Sequence, residues 1–439
     1  MVQGLSFLSI AYDETDPRSL HRQRLPEIQR YRFRELIRRV WNSSPFYSKM
    51  MKKLGLAADD FHDLSDLQRF PFTTKDDLRL NSYPYGGDFL SVPLRRIAWW
   101  HMTSGSTGVP TVGAYTREDV RTWSRLMARC LKTAGVTSSD IVANGYGYGL
   151  FTGGMGFHLG CQYAGSRVIP WGSGRSEALA RALKDFKATV FTGTPSFQLL
   201  VSETLSRLGI SPDDLSLRLS IPGAEVMTAP MLDRIESGFA LDKRGGGARV
   251  IYGLTEAMGP GVAQECPDDH HSGMHIWTDH FIAEIVKPDS DEVLGFGEEG
   301  ELVITTLTKK AMPLIRYRTR DITSLSETED EIPFPRISLI KGRIDDVIFF
   351  KGAKIFPSAV HEAVLSFPEV GEFQIVIDKT RAFHSFKLKV ETKEPSEELA
   401  SRIASAVASV SFVTPEVEFV PYGSLPRYEG KARREIVME

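Results

Sequence analysis

Between residues 17 and 52, Leu, Ile and Tyr recur at helical spacing among many arginines, and no Gly or Pro interrupts the run from Ile28 to Asn42. The spacing predicts a helical lead-in over about 17–85. Within it, "FPFTTKDDL" reads as a turn and a helix start. Thr73 or Thr74 can cap that helix, and Asp76 and Asp77 suit the positive end of its dipole. The pattern then alternates across about 100–280. A helix-like stretch from Thr116 to Ala134 precedes the strand-like "DIVANGYGYG", followed by "SRVIPWG", "SEALARALKDF", "ATVFTGT", "SFQLLVSETLSRLG", "LRLSIPGAE", "APMLDRIESGFA" and "ARVIYGLTE". Strands that alternate with helices and end in Gly or Pro predict an α/β fold with a largely parallel sheet. Ligands of such sheets bind beyond the carboxyl ends of the strands. That rule gathers "YGYGL", "TGTPS", "PGAE" and "YGLTE" around one crevice.

The pattern changes after residue 280. "HFIAEIVKPDSDEVLGFGEEGELVITTLT" predicts two strands joined by a polar loop, so 281–342 reads as a β-rich part of the same large N-terminal domain. The rest, 343–439, predicts a small α+β domain. Val360, Ala363, Val364 and Phe367 fall on one helical face, and Phe386, Leu388 and Val390 alternate with Lys387, Lys389 and Glu391 as in a half-buried strand. "PSEELASRIASAVASV" predicts a second amphipathic helix.

Composition narrows the class. With 42% hydrophobic and 25% charged residues the chain is an ordinary globular one, and a net charge of -3 carries no footprint for nucleic acid or an anionic membrane face. Cys130, Cys161 and Cys266 are too few for a disulfide framework, which favours a reducing compartment. The first residues lack a basic stretch followed by a long apolar run, and no segment reaches the roughly 20 apolar residues of a membrane span. A soluble, cytoplasmic protein is expected.

Four stretches carry candidate chemistry. "TSGSTGVPT" (103–111) is rich in Gly and hydroxyls, as a phosphate cradle is, but it fits neither GxxxxGK[ST] nor GxGxxG; a Ser/Gly-rich surface turn has the same composition. "YGLTE" (252–256) offers a ring for stacking and a carboxylate for Mg²⁺, or simply a buried Tyr and a solvated Glu. "RYRTRD" (316–321) places three arginines before Asp321, a good acceptor for ribose hydroxyls; the alternative is a solvated or ion-paired edge strand. "LPRYEGKARRE" sets Lys431 in a Pro- and Gly-containing loop near the C-terminus, where a basic run is more often a charged tail.

In this order, with "GRIDD" between the last two, the stretches resemble the adenylate-forming superfamily of acyl- and aryl-CoA synthetases, adenylation domains and luciferases. "YGYGLFTGG", "YGLTEAMGPGVAQEC", "LTKKAMPLIRYRTRDI" and "GSLPRYEGKARR" sharpen the resemblance to phenylacetate–CoA ligases, from about residue 20 to the end. The resemblance implies a large N-terminal domain and a small mobile C-terminal domain that rotates about a hinge at Asp345. It implies an ATP-dependent aryl-acid–CoA ligase: a carboxylate attacks the α-phosphate of ATP, and the thiol of coenzyme A then displaces AMP. On this resemblance Thr103, Ser104, Gly105, Ser106, Thr107 and Gly108 wrap the outer phosphates. Gly223, Ala224 and Glu225 line the adenine and the acyl pocket, while Tyr252 and Gly253 meet adenine. Thr255 reaches the α-phosphate, Glu256 holds Mg²⁺, Asp321 and Arg343 bind ribose, and Lys431 is the adenylation lysine. Tyr146 and Phe151 would form an aromatic wall of the acyl pocket, with Gly223, Ala224 and Pro260 leaving room for a flat phenylacetate- or benzoate-type ring.

Departures from the family pattern are Val109, where a lysine is usual, Lys354, where asparagine is common, and the wording of "PGAEVM" and "TPSFQL" near the acyl site. They suggest a specialised acid. Cys266, His270, His271 and His275 lie within ten residues and some relatives bind zinc nearby; surface histidines are the preferred reading. Two alternatives accompany the ligase: an adenylating enzyme that loads a carrier protein or another nucleophile, and a degenerate nucleotide-binding protein without activity. Relatives often form dimers, so a homodimer is admitted.

Overall fold

A computed structural model describes residues 12–103, 110–380 and 384–438. By contacts the chain divides into two compact units, one formed by 1–172 and 249–338 and the other by 173–248 and 339–439. The fold is α/β, with both parallel and antiparallel sheets.

In the first unit the helical lead-in is present as the helices Leu25–Ser43, Pro45–Lys53 and Lys75–Ser82, with short 3₁₀ turns between. Thr74 is the cap of the last: its hydroxyl accepts from the Asp77 amide at 3.2 Å, and the Asp77 carboxylate accepts from the Thr74 amide at 2.8 Å. Thr73 has a different task, donating from its buried hydroxyl to the Ile315 carbonyl at 2.7 Å. The apolar stripe of the lead-in (Phe33, Leu36, Ile37, Val40, Tyr47) packs with Phe61 and Phe70 against Met312, Ile315 and Tyr317. The helix Arg117–Thr133 follows almost to the residue as its periodicity predicts, and Thr116 and Asp119 form its capping box. The strands Ile141–Asn144 and Arg167–Ile169 pair in parallel. The β-rich part is an antiparallel sheet ordered Val293–Leu294, Phe281–Val286, Glu299–Thr306, Tyr317–Ser326, Arg336–Ile337, Met274–Ile276, Gly259–Gln264, Ile251–Leu254. "RYRTRD" thus opens a central strand rather than an edge one.

In the second unit Val190–Gly193, Leu219–Pro222 and Gly247–Ala248 are neighbouring parallel strands, connected by the helices Pro195–Arg207 and Ala229–Phe239. The C-terminal stretch contributes a four-stranded sheet ordered Glu416–Val420, Ser385–Thr392, Val370–Asp378, Glu435–Met438, with helices Pro357–Leu365 and Glu397–Ser411. Phe386, Leu388 and Val390 are buried as their alternation predicts. Glu391 departs from it: the carboxylate is buried too, held by Arg427 at 2.8 and 3.0 Å and by the Leu425 amide at 2.7 Å. A paired and hydrogen-bonded charge can occupy an inward position that a pattern of polarity assigns to solvent.

Candidate functional site

The first unit gathers one set of the predicted residues around the hairpin of Ile251–Leu254 and Gly259–Gln264. Tyr252 is buried in the first strand, and its hydroxyl donates to Asp321 Oδ2 at 2.7 Å. Two residues separated by 69 positions are therefore one hydrogen-bonded pair, with the Asp321 amide further bonded to Thr319 Oγ1 at 3.1 Å. Gly253 is required by space, since a Cβ there would lie 2.2 Å from the Gly259 carbonyl oxygen. Past the strand the chain turns through 255–258. The hydroxyls of Thr255 and Thr152 are 3.3 Å apart, and the Thr255 carbonyl accepts from Tyr115 Oη at 3.3 Å. The half-buried Glu256 receives the Thr111 hydroxyl on Oε1 at 3.4 Å. Thr111 is in turn 3.0 Å from the Thr103 hydroxyl, and the Thr103 amide donates to the Thr111 carbonyl at 3.1 Å. Thr103 and Thr111 thus tie together the two ends of the small-residue loop next to Glu256. Ser104, Gly105, Ser106, Thr107, Gly108 and Val109 lie outside the described residues.

Lys309 was not singled out from the sequence. It is 1% exposed, and its Nζ donates to the Glu256 carbonyl at 3.0 Å and sits 4.5 Å from the centre of the Tyr115 ring. Burial pulls its ammonium down to about 8, against the opposing pull of Asp119 and Glu256. The Asp119 carboxylate also accepts from the amides of Lys310 and Ala311, which fixes the segment behind Lys309. The signal for these helpers was weak because "TTLTKK" and "VGAYTRED" lie far apart in sequence and far from "YGLTE".

The acyl-pocket candidates separate. Tyr146 is 6% exposed and stacks on Phe157 with centroids 4.9 Å apart. Pro260 accepts on its carbonyl from Trp123 Nε1 at 2.8 Å. Phe151, by contrast, is 53% exposed. The aromatic partner of Tyr146 is therefore Phe157, one helix further on. The arginines of "RYRTRD" face carboxylates: Arg316 meets Glu284 at 2.9 Å and Arg318 meets Glu301 at 2.9 Å, which is the ion-paired alternative.

The second unit holds the remaining residues. The strand Leu219–Pro222 runs into Gly223, Ala224 and Glu225, and Ala224 takes φ 70°, a left-handed conformation that strains a residue with a side chain. Glu225 accepts from Ser196 Oγ at 2.6 Å and from the Ala432 amide at 3.4 Å. Burial pushes its carboxyl up, opposed by Ser196, Arg434 and Lys431. Glu225 is thus brought to the neighbourhood of the Lys431 loop, a relation the spacing of 207 residues did not disclose. Lys431 itself is exposed, as is Asp345; Arg343 Nη2 lies 4.0 Å from Asp345 Oδ2. Lys354 stands exposed on the strand Ala353–Ile355, 5.9 Å from the Phe349 ring.

Of the Cys/His candidates, Cys266 and His275 converge with Asp269, their donor atoms within 4.8 Å; His275 is fully buried, which corrects the surface reading for that histidine. His270 is exposed, and His271 bonds Glu265 at 2.8 Å. Asp269 accepts from Arg336 at 2.8 Å, so a fixed guanidinium already supplies it with positive charge. Burial and then Asp269 push the Cys266 thiol up to about 12. Among the described residues no helix is long and apolar enough to cross a membrane.

Residues 63–308 match the family model described as AMP-binding enzyme, and 352–437 match the AMP-binding enzyme C-terminal domain. The sequence is 39% identical over 420 residues to a phenylacetate-coenzyme A ligase of Escherichia coli, covering 93% of this chain and 94% of that protein. It is 37% identical over 442 residues to one of Thermus thermophilus, covering 95% and 97%. Among solved structures, 2-hydroxyisobutyryl-CoA ligase in its postadenylation state with R3-HIB-AMP superposes with a TM-score of 0.85 at 27% identity, over 94% of this chain and 89% of that one.

Proposed function

The chain belongs to the phenylacetate–coenzyme A ligases of the AMP-binding enzyme family, AMP-forming acid–thiol ligases that use ATP and coenzyme A, and from that membership we propose which acid it takes and which residues do the work. The acid is an aryl carboxylic acid of the phenylacetate or benzoate type. The observation that carries this is the similarity to phenylacetate ligases over more than nine-tenths of both chains. Tyr146, backed by Phe157 with centroids 4.9 Å apart, remains with Phe151 and Pro260 the proposed aromatic and apolar wall for the aryl ring.

A carboxylate is already a nucleophile, so no general base is needed. The barrier lies in bringing one anion onto another and in stabilising charge that develops on phosphorus. Glu256, whose oxygens stand with the Thr111 hydroxyl, is the carboxylate fitted to hold Mg²⁺, a hard ion that prefers oxygen ligands. When bound, the ion supplies positive charge to the phosphates. Thr103, Ser104, Gly105, Ser106, Thr107 and Gly108 contact the outer phosphates, and Thr255 the inner one. Gly223, Ala224 and Glu225 border adenine and the acyl group, with Tyr252 and Gly253 on the adenine. Asp321 and Arg343 hold the ribose, Asp321 through the oxygen pair that Tyr252 already orients. Lys431 supplies the second cation at phosphorus. For thioester formation 343–439 rotates about Asp345 and takes Lys431 away from the reacting centre.

A cytoplasmic location, where ATP and coenzyme A are supplied, is part of the proposal. The test is ATP–pyrophosphate exchange against a panel of aryl and aliphatic acids, with coenzyme A and a carrier protein as rival acceptors. Aryl acids are expected to support exchange, and coenzyme A to be acylated. Exchange with short aliphatic acids only, or acylation of the carrier protein in preference, overturns the assignment of acid or acceptor.

A further inference from the structure

We infer that Thr194, Ser196 and Glu225 form a clamp for the Lys431 loop, closed during adenylation and open during thioester formation; this rests on the proposed function. The anchors arise at the carboxyl ends of two adjacent parallel strands, Val190–Gly193 and Leu219–Pro222. Thr194 follows the first strand and caps the helix Pro195–Arg207, accepting from the Phe197 amide at 3.3 Å. Its single hydroxyl proton goes elsewhere, to the Gly430 carbonyl at 3.0 Å. Glu225 follows the second strand and takes the Ala432 amide at 3.4 Å. The residues immediately before and after Lys431 are therefore both tied down, while Lys431 itself stays exposed.

A second layer supports the clamp. Ser196 Oγ donates to Glu225 Oε2 at 2.6 Å and is 3.4 Å from Arg434 Nη1. Arg434 is 3% exposed and forms a bidentate pair with Glu372 at 2.6 and 3.0 Å, which connects the clamp to the C-terminal sheet. Strong charge-assisted bonds thus lie behind the loop. The two bonds on its backbone are longer, and one of them, from Thr194, joins neutral groups. Such contacts are worth little enough to break in each cycle but enough to bias where Lys431 rests. Ser196 and Thr194 are 5% and 8% exposed, so their hydroxyls, lost from water, need these partners. Thr194, Ser196 and the Arg434 layer act on chemistry through the lysine and are positioning residues.

The experiment compares the two half-reactions in Thr194→Val and Thr194→Ser. Valine keeps the shape and removes the donor; serine keeps the donor. In Thr194→Val, ATP–pyrophosphate exchange is expected to fall several-fold, up to about ten-fold, as one net hydrogen bond allows. Thioester formation from a preformed acyl-adenylate should stay within two-fold of the parent, which also shows that the variant is folded. Thr194→Ser should restore exchange. A readout without any acid is tryptic cleavage after Lys431, followed by mass spectrometry: it should quicken in Thr194→Val and return to the parental rate in Thr194→Ser. Unchanged exchange and cleavage in Thr194→Val, or an equal fall in both half-reactions, overturns the clamp. A parent enzyme that forms no adenylate with any acid overturns the function instead, and the cleavage rates still decide the clamp.

Discussion

Lys309 donates from a nearly water-free position to the backbone of Glu256, with the Tyr115 ring against its charge. An ammonium is costly to bury, and here its hydrogen bond and the ring meet part of that cost while Tyr115 Oη holds the carbonyl one residue earlier. Two adjacent carbonyls of the turn are thus held from beneath, which aims Thr255 and Glu256. Replacing Lys309 by Met keeps the length and removes the donor. We expect a loss of about 1–3 kcal/mol, roughly five- to 150-fold in exchange rate, with a higher Mg²⁺ requirement. A Mg²⁺ titration of exchange checks it, and an unshifted half-saturation point rejects the brace. Lys431→Ala is expected to cost about 2–4 kcal/mol of adenylation and to spare thioester formation from a preformed adenylate, measured as the two separate half-reactions. At this scale the sequence was legible where a stretch carries the resemblance, as "YGLTE" and "RYRTRD" do, and the Tyr252–Asp321 bond joins those two stretches. Lys309, Thr111 and Tyr115 were not, because their effect passes through contacts between distant segments and leaves no local pattern.

Elements were easier to read than contacts. The helices Arg117–Thr133 and Pro357–Leu365 follow from apolar periodicity, and the strand Ser385–Thr392 from alternation, because burial on one face imposes a period. Charges placed inside escaped that logic. Glu391 is one; a larger case lies around Glu14, just ahead of the lead-in, where Arg32 and Arg125 reach its carboxylate at 2.6 and 2.7 Å and Arg129 pairs with Asp279 at 2.8 Å. These bonds join Glu14 and Asp279 to the helices Leu25–Ser43 and Arg117–Thr133. Burial alone would raise the Glu14 carboxyl, but His280, Arg32 and Arg125 outweigh it and hold it at about 2. Burial itself keeps His280 neutral until about pH 3, so at neutral pH the two always-charged arginines carry the effect. In the unfolded chain Glu14 takes a proton at about 4.5, before the folded protein does. Its stabilisation is therefore complete above about pH 4.5 and is lost as pH falls toward 2. Glu14→Gln should lower stability at neutral pH by about 2 kcal/mol and flatten its fall below pH 4.5. Urea unfolding midpoints across that range test this; parallel curves for parent and variant would reject it.

For the whole molecule the question is how one chain serves two reactions with different needs. Adenylation needs a cation at phosphorus; thioester formation needs that place cleared for a thiol. The proposed answer is rotation of 343–439, with the Thr194–Glu225 clamp favouring one of the two positions. Asp345 lies in the 3₁₀ turn Ile344–Asp346, next to Arg343, at the point where the resemblance places the hinge. Proline fixes φ near −65°, which lies within the range of a 3₁₀ turn, and it removes the freedom to leave that range. Asp345→Pro is therefore expected to keep ATP–pyrophosphate exchange within about three-fold of the parent and to slow thioester formation by at least about a hundred-fold. The pattern is the inverse of that of Lys431→Ala, so the two variants check each other in the same pair of assays. Combined with Thr194→Val, the proline should leave thioester formation slow, because opening the clamp does not free a locked hinge. Recovery of thioester formation in the double variant would show that the clamp, rather than rotation at Asp345, sets the passage between the half-reactions.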